Sequence, residues 1–293
     1  MDDAAVLRYA AFTDHGHGGN PAGVVLDAAG LDDAARLAVA ARVGYSETAF
    51  VEPDGAVGTY RLRYFSSLAE VAFCGHATIA TAVAIAQRDG VGPLTFETLA
   101  GPVPVRTEVG ARGEVSATLT SVPTRTRAVG PDELSAALAA LRWRPEQLDP
   151  RYPAHVANAG NDHLVLAVRD RSVLAGLDYD YLALDMLMAA RGWTTAHLVW
   201  AESPTAFHAR DPFPPGGVVE DPATGAAAAA FGGYLRDLGL VELPARITIW
   251  QGADMGRPSR LDVDVAAGDP RVRVTGTASA LAAPDGSLLR PPR

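Results

Sequence analysis

The chain of 293 residues contains no lysine, since all 25 of its basic residues are arginine. That excludes Schiff-base chemistry and the phosphate-binding lysine of a P-loop. Cysteine is almost as scarce. Cys74 stands alone, which excludes an internal disulfide framework and a zinc site built on clustered thiols. No apolar run approaches the ~18–20 residues that cross a bilayer, and the opening MDDAAVLRYAAF is acidic where a secretory signal is basic. A cytoplasmic protein with no membrane partner is expected. A net charge of −9 and a pI near 5.2 disfavour a nucleic-acid surface, yet leave room for a local basic pocket that takes an acidic metabolite. Charge blocks and coiled-coil heptads are absent too, so nothing supports a filament or scaffold.

What is present is a chain with 48% hydrophobic residues, long enough for a large core and about two domains. Residues 216–226, GGVVEDPATGA, lead into AAAAFGGYL. Asp221 reads as an N-cap and Pro222 as a first helical residue, so a helix is expected to start there. Its body from Ala226 to Leu235 is small and apolar, as a buried central helix requires. Phe73–Ala82, FCGHATIATA, opens a second small-residue helix that runs to the glycine of QRDG. Thr78 and Thr224 stand 146 residues apart, half the chain length. YRLRYF and LTFET flank the first helix, and HLVWAE and RITIW the second, all strand-like. An internal duplication follows, with two domains whose helix N-termini face one cleft. Such N-termini suit a bound carboxylate or phosphate; a well-capped core helix is the plainer reading. The polar, proline-bearing segment near 123–131 is expected to be an exposed link between residues 1–122 plus 279–293, as one domain, and 123–278, as the other. Further helices are expected over Leu31–Arg42, Asp132–Leu141 and Tyr181–Arg191, and strands at VSATLT, HLVLAV and RLDVDVA.

The chemistry-bearing groups are few. His15 and His17 in FTDHGHGGNPAGVV have a metal-like spacing, but no carboxylate cluster or further nearby histidine completes a ligand set, and a solvated loop is expected. The same glycines make no dinucleotide fingerprint, because no G-x-G-x-x-G opens a helix. Glu47 falls between a helix ending near Val43 and a strand beginning at Thr48, and His76 sits near a helix N-terminus that favours a neutral imidazole. Ser46 and Ser203 lack a nucleophile elbow, which argues against serine hydrolysis.

FTDHGHGGNPAGVV, SETAFV, EVAFCGHATIATA, GGVVEDPATGA and QGADMGRPS, in that order, resemble the PhzF-like isomerase family of phenazine biosynthesis, within the diaminopimelate-epimerase fold. The resemblance implies an α+β protein of two similar domains, each a strongly curved, barrel-like mixed sheet around a central helix. It also implies an active site in the cleft between the domains, no cofactor, no metal and a homodimer. Glu47 would move a proton on a small carboxylated metabolite, with His76 and Asp221 in contact with substrate. Asn20 and Ser46 would line the pocket, and the backbone of Gly75, Gly225 and Ala226 would hold the substrate carboxylate. One departure concerns Ala226, where the family usually carries a serine, so a non-catalytic small-acid binding or sensing protein on the same fold is the alternative. Diaminopimelate epimerase places a thiol at each of the two helix starts. A single cysteine excludes that mechanism, and Cys74 is expected to be a small buried residue.

Overall fold

Strict alternation in SRLDVDV sends Leu261, Val263 and Val265 inward and keeps Arg260, Asp262 and Asp264 toward solvent, as a period of two demands of a half-buried strand. The computed structural model describes residues 6–282. These form two units: residues up to Thr120 together with those from Thr275 onward, and Ser121–Val274.

The first unit contains β1 (Leu7–Ala11), β2 (Asn20–Val25), α1 (Asp33–Val43), β3 (Thr48–Pro53), β4 (Thr59–Phe65), β5 (Glu70–Val71), α2 (Gly75–Asp89), β6 (Pro93–Thr98), β7 (Gly101–Val109) and β8 (Val115–Thr120). The second contains β9 (Arg125–Ala128), α3 (Pro131–Leu141), β10 (His155–Asn158), β11 (Asp162–Val168), α4 (Arg171–Ala175), α5 (Tyr181–Arg191), β12 (Trp193–Ser203), β13 (Ala206–Phe213), β14 (Val218–Asp221), α6 (Gly225–Asp237), β15 (Ala245–Gln251) and β16 (Ser259–Val265). The last strand, β17 (Val272–Ala280), returns the chain to the first unit.

In the first unit β1–β2 is antiparallel, β2–β3 parallel, β3–β4 antiparallel, β4–β6 parallel, and β6–β7–β8 antiparallel. β17 pairs with β8 and with β1, so the sheet closes into a barrel. The α2 helix packs on β1, β2, β3, β7 and β8, and every residue from His76 to Ala86 is buried. Only a helix of small side chains fits so enclosed a place. The second unit repeats the pattern: β10–β11 antiparallel, β11–β12 parallel, β12–β13 antiparallel, β13–β15 parallel, β15–β16 antiparallel. There α6 packs on β9, β10, β11 and β16. Its Gly233 is held to hydrogen by the neighbouring strand entry, since a Cβ there would lie 2.2 Å from Thr124 Oγ1.

The α+β duplicated architecture therefore stands, but its register differs from the one read in the sequence. The equivalent points are the first helical residues, Gly75 and Gly225, each following a short strand that pairs antiparallel with its predecessor. That sets the repeat at 150 residues and makes Cys74, not Thr78, the counterpart of Thr224. Asp221 is also not the N-cap. It ends β14, where ladder pairing with Asp211 fixes its backbone as extended, and Thr224 is the cap residue. The expected link near 123–131 contains β9, paired antiparallel with β10, because Thr126 and Arg127 find strand partners in Ala157 and Val156. Most of the expected return segment 279–293 falls outside the described residues; within them, Tyr9 pairs with Ala280 and Leu281 N–H donates to the Arg8 carbonyl at 2.8 Å. No helix among the described residues is long and apolar enough to cross a membrane.

Candidate active site

Glu47 is placed by the end of one element and the start of the next. Gly44 adopts the left-handed conformation (φ 72°) that closes α1, and β3 begins at Thr48. The Glu47 carbonyl accepts the Gly23 N–H at 3.2 Å, tying it to β2. This parallel contact is tight: a Cβ on Gly23 would meet Thr48 Oγ1 at 2.6 Å, so the second glycine of GNPAG lets the two strands approach beside Glu47.

The α2 start meets it. His76 Nε2 lies 3.4 Å from Glu47 Oε2, with side-chain exposures of 7% and 15%. The Cys74 thiol donates to Glu47 Oε2 at 3.5 Å and lies 3.3 Å from His76 Nδ1. Burial pushes the His76 imidazole below its ordinary pKa, against the opposing pull of the Glu47 charge and of a hydrogen bond to the Pro21 backbone. Pro21 has no N–H, so the ring donates to its carbonyl. Asn20, the buried first residue of β2, is next to it. Ser46 is half-buried. The helix start is held from behind by Thr78, whose hydroxyl donates to the Cys74 carbonyl at 2.7 Å and accepts from Tyr64 Oη at 2.7 Å. Burial keeps the Tyr64 phenol far above its usual pKa, so it stays a donor.

In the second unit Asp221 Oδ2 accepts the Thr224 hydroxyl at 2.6 Å. Gln251, the first residue of QGADMGRPS, binds both: its amide donates to the Asp221 carbonyl at 2.7 Å and to Thr224 Oγ1 at 3.0 Å, and its oxygen accepts the Thr224 N–H at 3.1 Å. Neither helix has a side-chain bond from its N-cap residue, Cys74 or Thr224. The first-turn N–H groups at Gly75 and Gly225 therefore keep the anion-attracting character of a helix start. Ala226 is half-exposed on the first turn of α6 and offers no hydroxyl.

Sequence reasoning placed Asn20, Ser46, Glu47, Gly75, His76, Asp221, Gly225 and Ala226 in one site; within the first unit Glu47 and His76 meet, together with Cys74, at the Gly75 helix start, and Asn20 precedes the Pro21 that His76 binds. It missed Gln251, Thr224 and Gly23. Their signal was a polar residue ending the apolar RITIW strand and a glycine inside a strand. His15 lies on an exposed turn near Asp14 and Arg112, and forms no three-ligand group. Among the described residues the grouping of three metal-ligating side chains is Glu47, Cys74 and His76.

Comparison with known proteins gives a consistent picture. A family model described as "Phenazine biosynthesis-like protein" (PhzC-PhzF) matches residues 9–283. An uncharacterized isomerase of Deinococcus radiodurans is 35% identical over 92% of this chain and 90% of its own length. The trans-2,3-dihydro-3-hydroxyanthranilate isomerase of Pseudomonas chlororaphis is 31% identical over 82% of this chain and 83% of its own. A crystal structure of the PhzF-family phenazine biosynthesis protein of Bacillus anthracis superposes with a TM-score of 0.84 at 26% identity, covering 94% of this chain and 96% of that one.

Proposed function

The chain belongs to the PhzC-PhzF family of phenazine biosynthesis-like proteins, and on that premise we propose that it is a cofactor-independent isomerase in which Glu47 takes a proton from carbon and returns it elsewhere on the same small carboxylated metabolite. The observation that carries this reading is the contact between Glu47 and a buried His76 at 3.4 Å. Burial favours the uncharged imidazole, so His76 stands beside the Glu47 carboxylate as a hydrogen-bonding group and not as a fixed countercharge. The developing negative charge on a carbon acid needs donors that are already oriented, and the α2 first turn supplies backbone N–H groups for it. In the same reading Asn20 and Ser46 line the substrate, Asp221 contacts it, and Gly75, Gly225 and Ala226 hold its carboxylate through their backbone. A homodimer completes the proposal, checked by light scattering for twice the 30.5 kDa chain mass.

The test incubates dihydro-hydroxyanthranilate and other cyclic or amino-acid-like carboxylates with the protein in heavy water and follows carbon-bound hydrogen by NMR. Deuterium entering a carbon position supports the isomerase. Binding of the same acids with no exchange supports the non-catalytic binder, which the missing hydroxyl at Ala226 favours.

A further inference from the structure

The cluster at the α2 start has a second capability that proton transfer does not use. Three chemically different donors, a carboxylate oxygen of Glu47, the sulfur of Cys74 and a ring nitrogen of His76, lie within 4.8 Å of one another. The individual separations are 3.5 Å from Sγ to Oε2, 3.4 Å from Nε2 to Oε2, and 3.3 and 3.9 Å from Sγ to the two ring nitrogens. A tetrahedron built on zinc bonds to nitrogen, oxygen and sulfur of ~2.0–2.3 Å has edges of ~3.3–3.6 Å. With Nε2 as the ligand nitrogen the three edges are 3.5, 3.4 and 3.9 Å, two of them within that range and the third a few tenths of an ångström longer, so a small rotation of the ring completes one face of such a tetrahedron.

Their contacts with each other are weak. An imidazole–carboxylate separation of 3.4 Å exceeds the ~2.7–3.2 Å of an N–H···O hydrogen bond, and thiols are poor donors. Glu47 immediately precedes β3, Cys74 immediately precedes α2 and His76 lies in its first turn, so the ends of these two elements bring the trio together. The ring is also oriented as a metal ligand's is: one nitrogen donates to the Pro21 carbonyl, so the other carries the lone pair that a metal would take.

We propose that Glu47, Cys74 and His76 form a three-ligand site for a borderline-soft divalent cation of the zinc class, and that the ion, when bound, takes Glu47 out of proton transfer. Thiolate and imidazole donors select zinc, cobalt and cadmium over magnesium and calcium, which prefer oxygen. Binding releases the thiol proton to solvent and forms the metal–sulfur bond, with a water or the carboxylate of a small acid in the fourth position. The site stands on donor geometry and holds whether or not the chain is an isomerase.

Cobalt(II) serves as the probe. Because Cys74 is the single cysteine, a thiolate-to-cobalt charge-transfer band can arise from no other residue. The expected result is that band together with the intense visible absorption of tetrahedral cobalt, saturating at one ion per chain and displaced by zinc but not by magnesium. Loss of a whole ligand in Cys74→Ala or His76→Asn is expected to weaken zinc binding by more than ~10²-fold, since altering a mere supporting partner already costs ~10–100-fold. Circular dichroism establishes that each variant is folded, and either one alone suffices. No charge-transfer band on the wild-type protein at saturating cobalt, or unchanged zinc affinity in a folded variant, overturns the proposal. Since the readout is spectroscopic, a protein that binds the ion but exchanges no deuterium would sustain this site while defeating the isomerase.

Discussion

The Gln251 side chain binds Thr224 twice, giving a hydrogen bond to its hydroxyl at 3.0 Å and taking one from its backbone N–H at 3.1 Å. A residue at the end of β15 thereby closes the turn that enters α6 and, through the Asp221 carbonyl, fixes the strand before it. A buried group left unpaired costs about 1–3 kcal/mol, so Gln251→Leu is expected to destabilise the protein by ~2–4 kcal/mol in urea denaturation. Thr224→Val, which keeps the backbone bond, is expected to lose less. Equal stability for wild type and Gln251→Leu would contradict the role given to this side chain.

Glu47→Gln preserves shape and removes the base. Substrate binding is expected to survive while turnover falls by ~10²–10⁴-fold, the range for a positioned general base. Near-UV circular dichroism should match wild type. A variant with full turnover on a confirmed substrate moves the proton transfer to another group.

Gly23→Ala introduces a Cβ at 2.6 Å from Thr48 Oγ1 and 3.1 Å from Val43 Cγ1. Overpacking of this kind costs about 1–3 kcal/mol, and the strain falls on the residue next to Glu47. Stability and turnover are both expected to drop, and the double variant Gly23→Ala, Thr48→Ala should recover part of each. A double variant that is worse than the sum of the two single ones argues against the clash.

Acid should destabilise the fold through its buried histidines. Burial lowers His76, and burial with the nearby His197 charge lowers His163 to about 3. Unfolded, both titrate near the ordinary histidine value of about 6.5. Between that value and the lower folded one the unfolded chain binds protons that the native state refuses, so stability falls as pH drops through this window and is flat with respect to these groups above it. Each unit of difference corresponds to ~1.4 kcal/mol. His163→Gln, which keeps a partner for Thr195 Oγ1 in place of the 2.8 Å bond to His163 Nδ1, is expected to flatten the dependence of the urea midpoint between pH 6.5 and 4.5. An unchanged slope would assign the acid sensitivity elsewhere.

Much of this was written plainly in the sequence. Alternation identified VSATLT and RLDVDVA, a helical pattern marked Tyr181–Arg191, and five ordered motifs carried the family and its fold. What misled was local. An Asp-Pro pair before an alanine run has the chemistry of a helix start, yet ladder pairing with Asp211 keeps Asp221 in a strand. The repeated Ala-Thr pair suggested a register that the glycines of the two first turns do not share. Gln251 was out of reach for a different reason: its partners lie 27 and 30 residues upstream, and a side-chain bond across that separation leaves no periodic trace.

The closure of the first barrel by β17 has a consequence for synthesis on the ribosome. The strand that seals β1 begins at Val272, so the sheet started by Leu7–Ala11 waits through nearly the whole of translation with open edges at β1 and β8. The first half cannot be finished before the second is made, contrary to the usual order in which an amino-terminal domain folds first. Unpaired edges invite pairing with other nascent chains. Premature termination after Thr120 would therefore release a fragment containing every residue of the Glu47 cluster and none of the strand that seals its barrel.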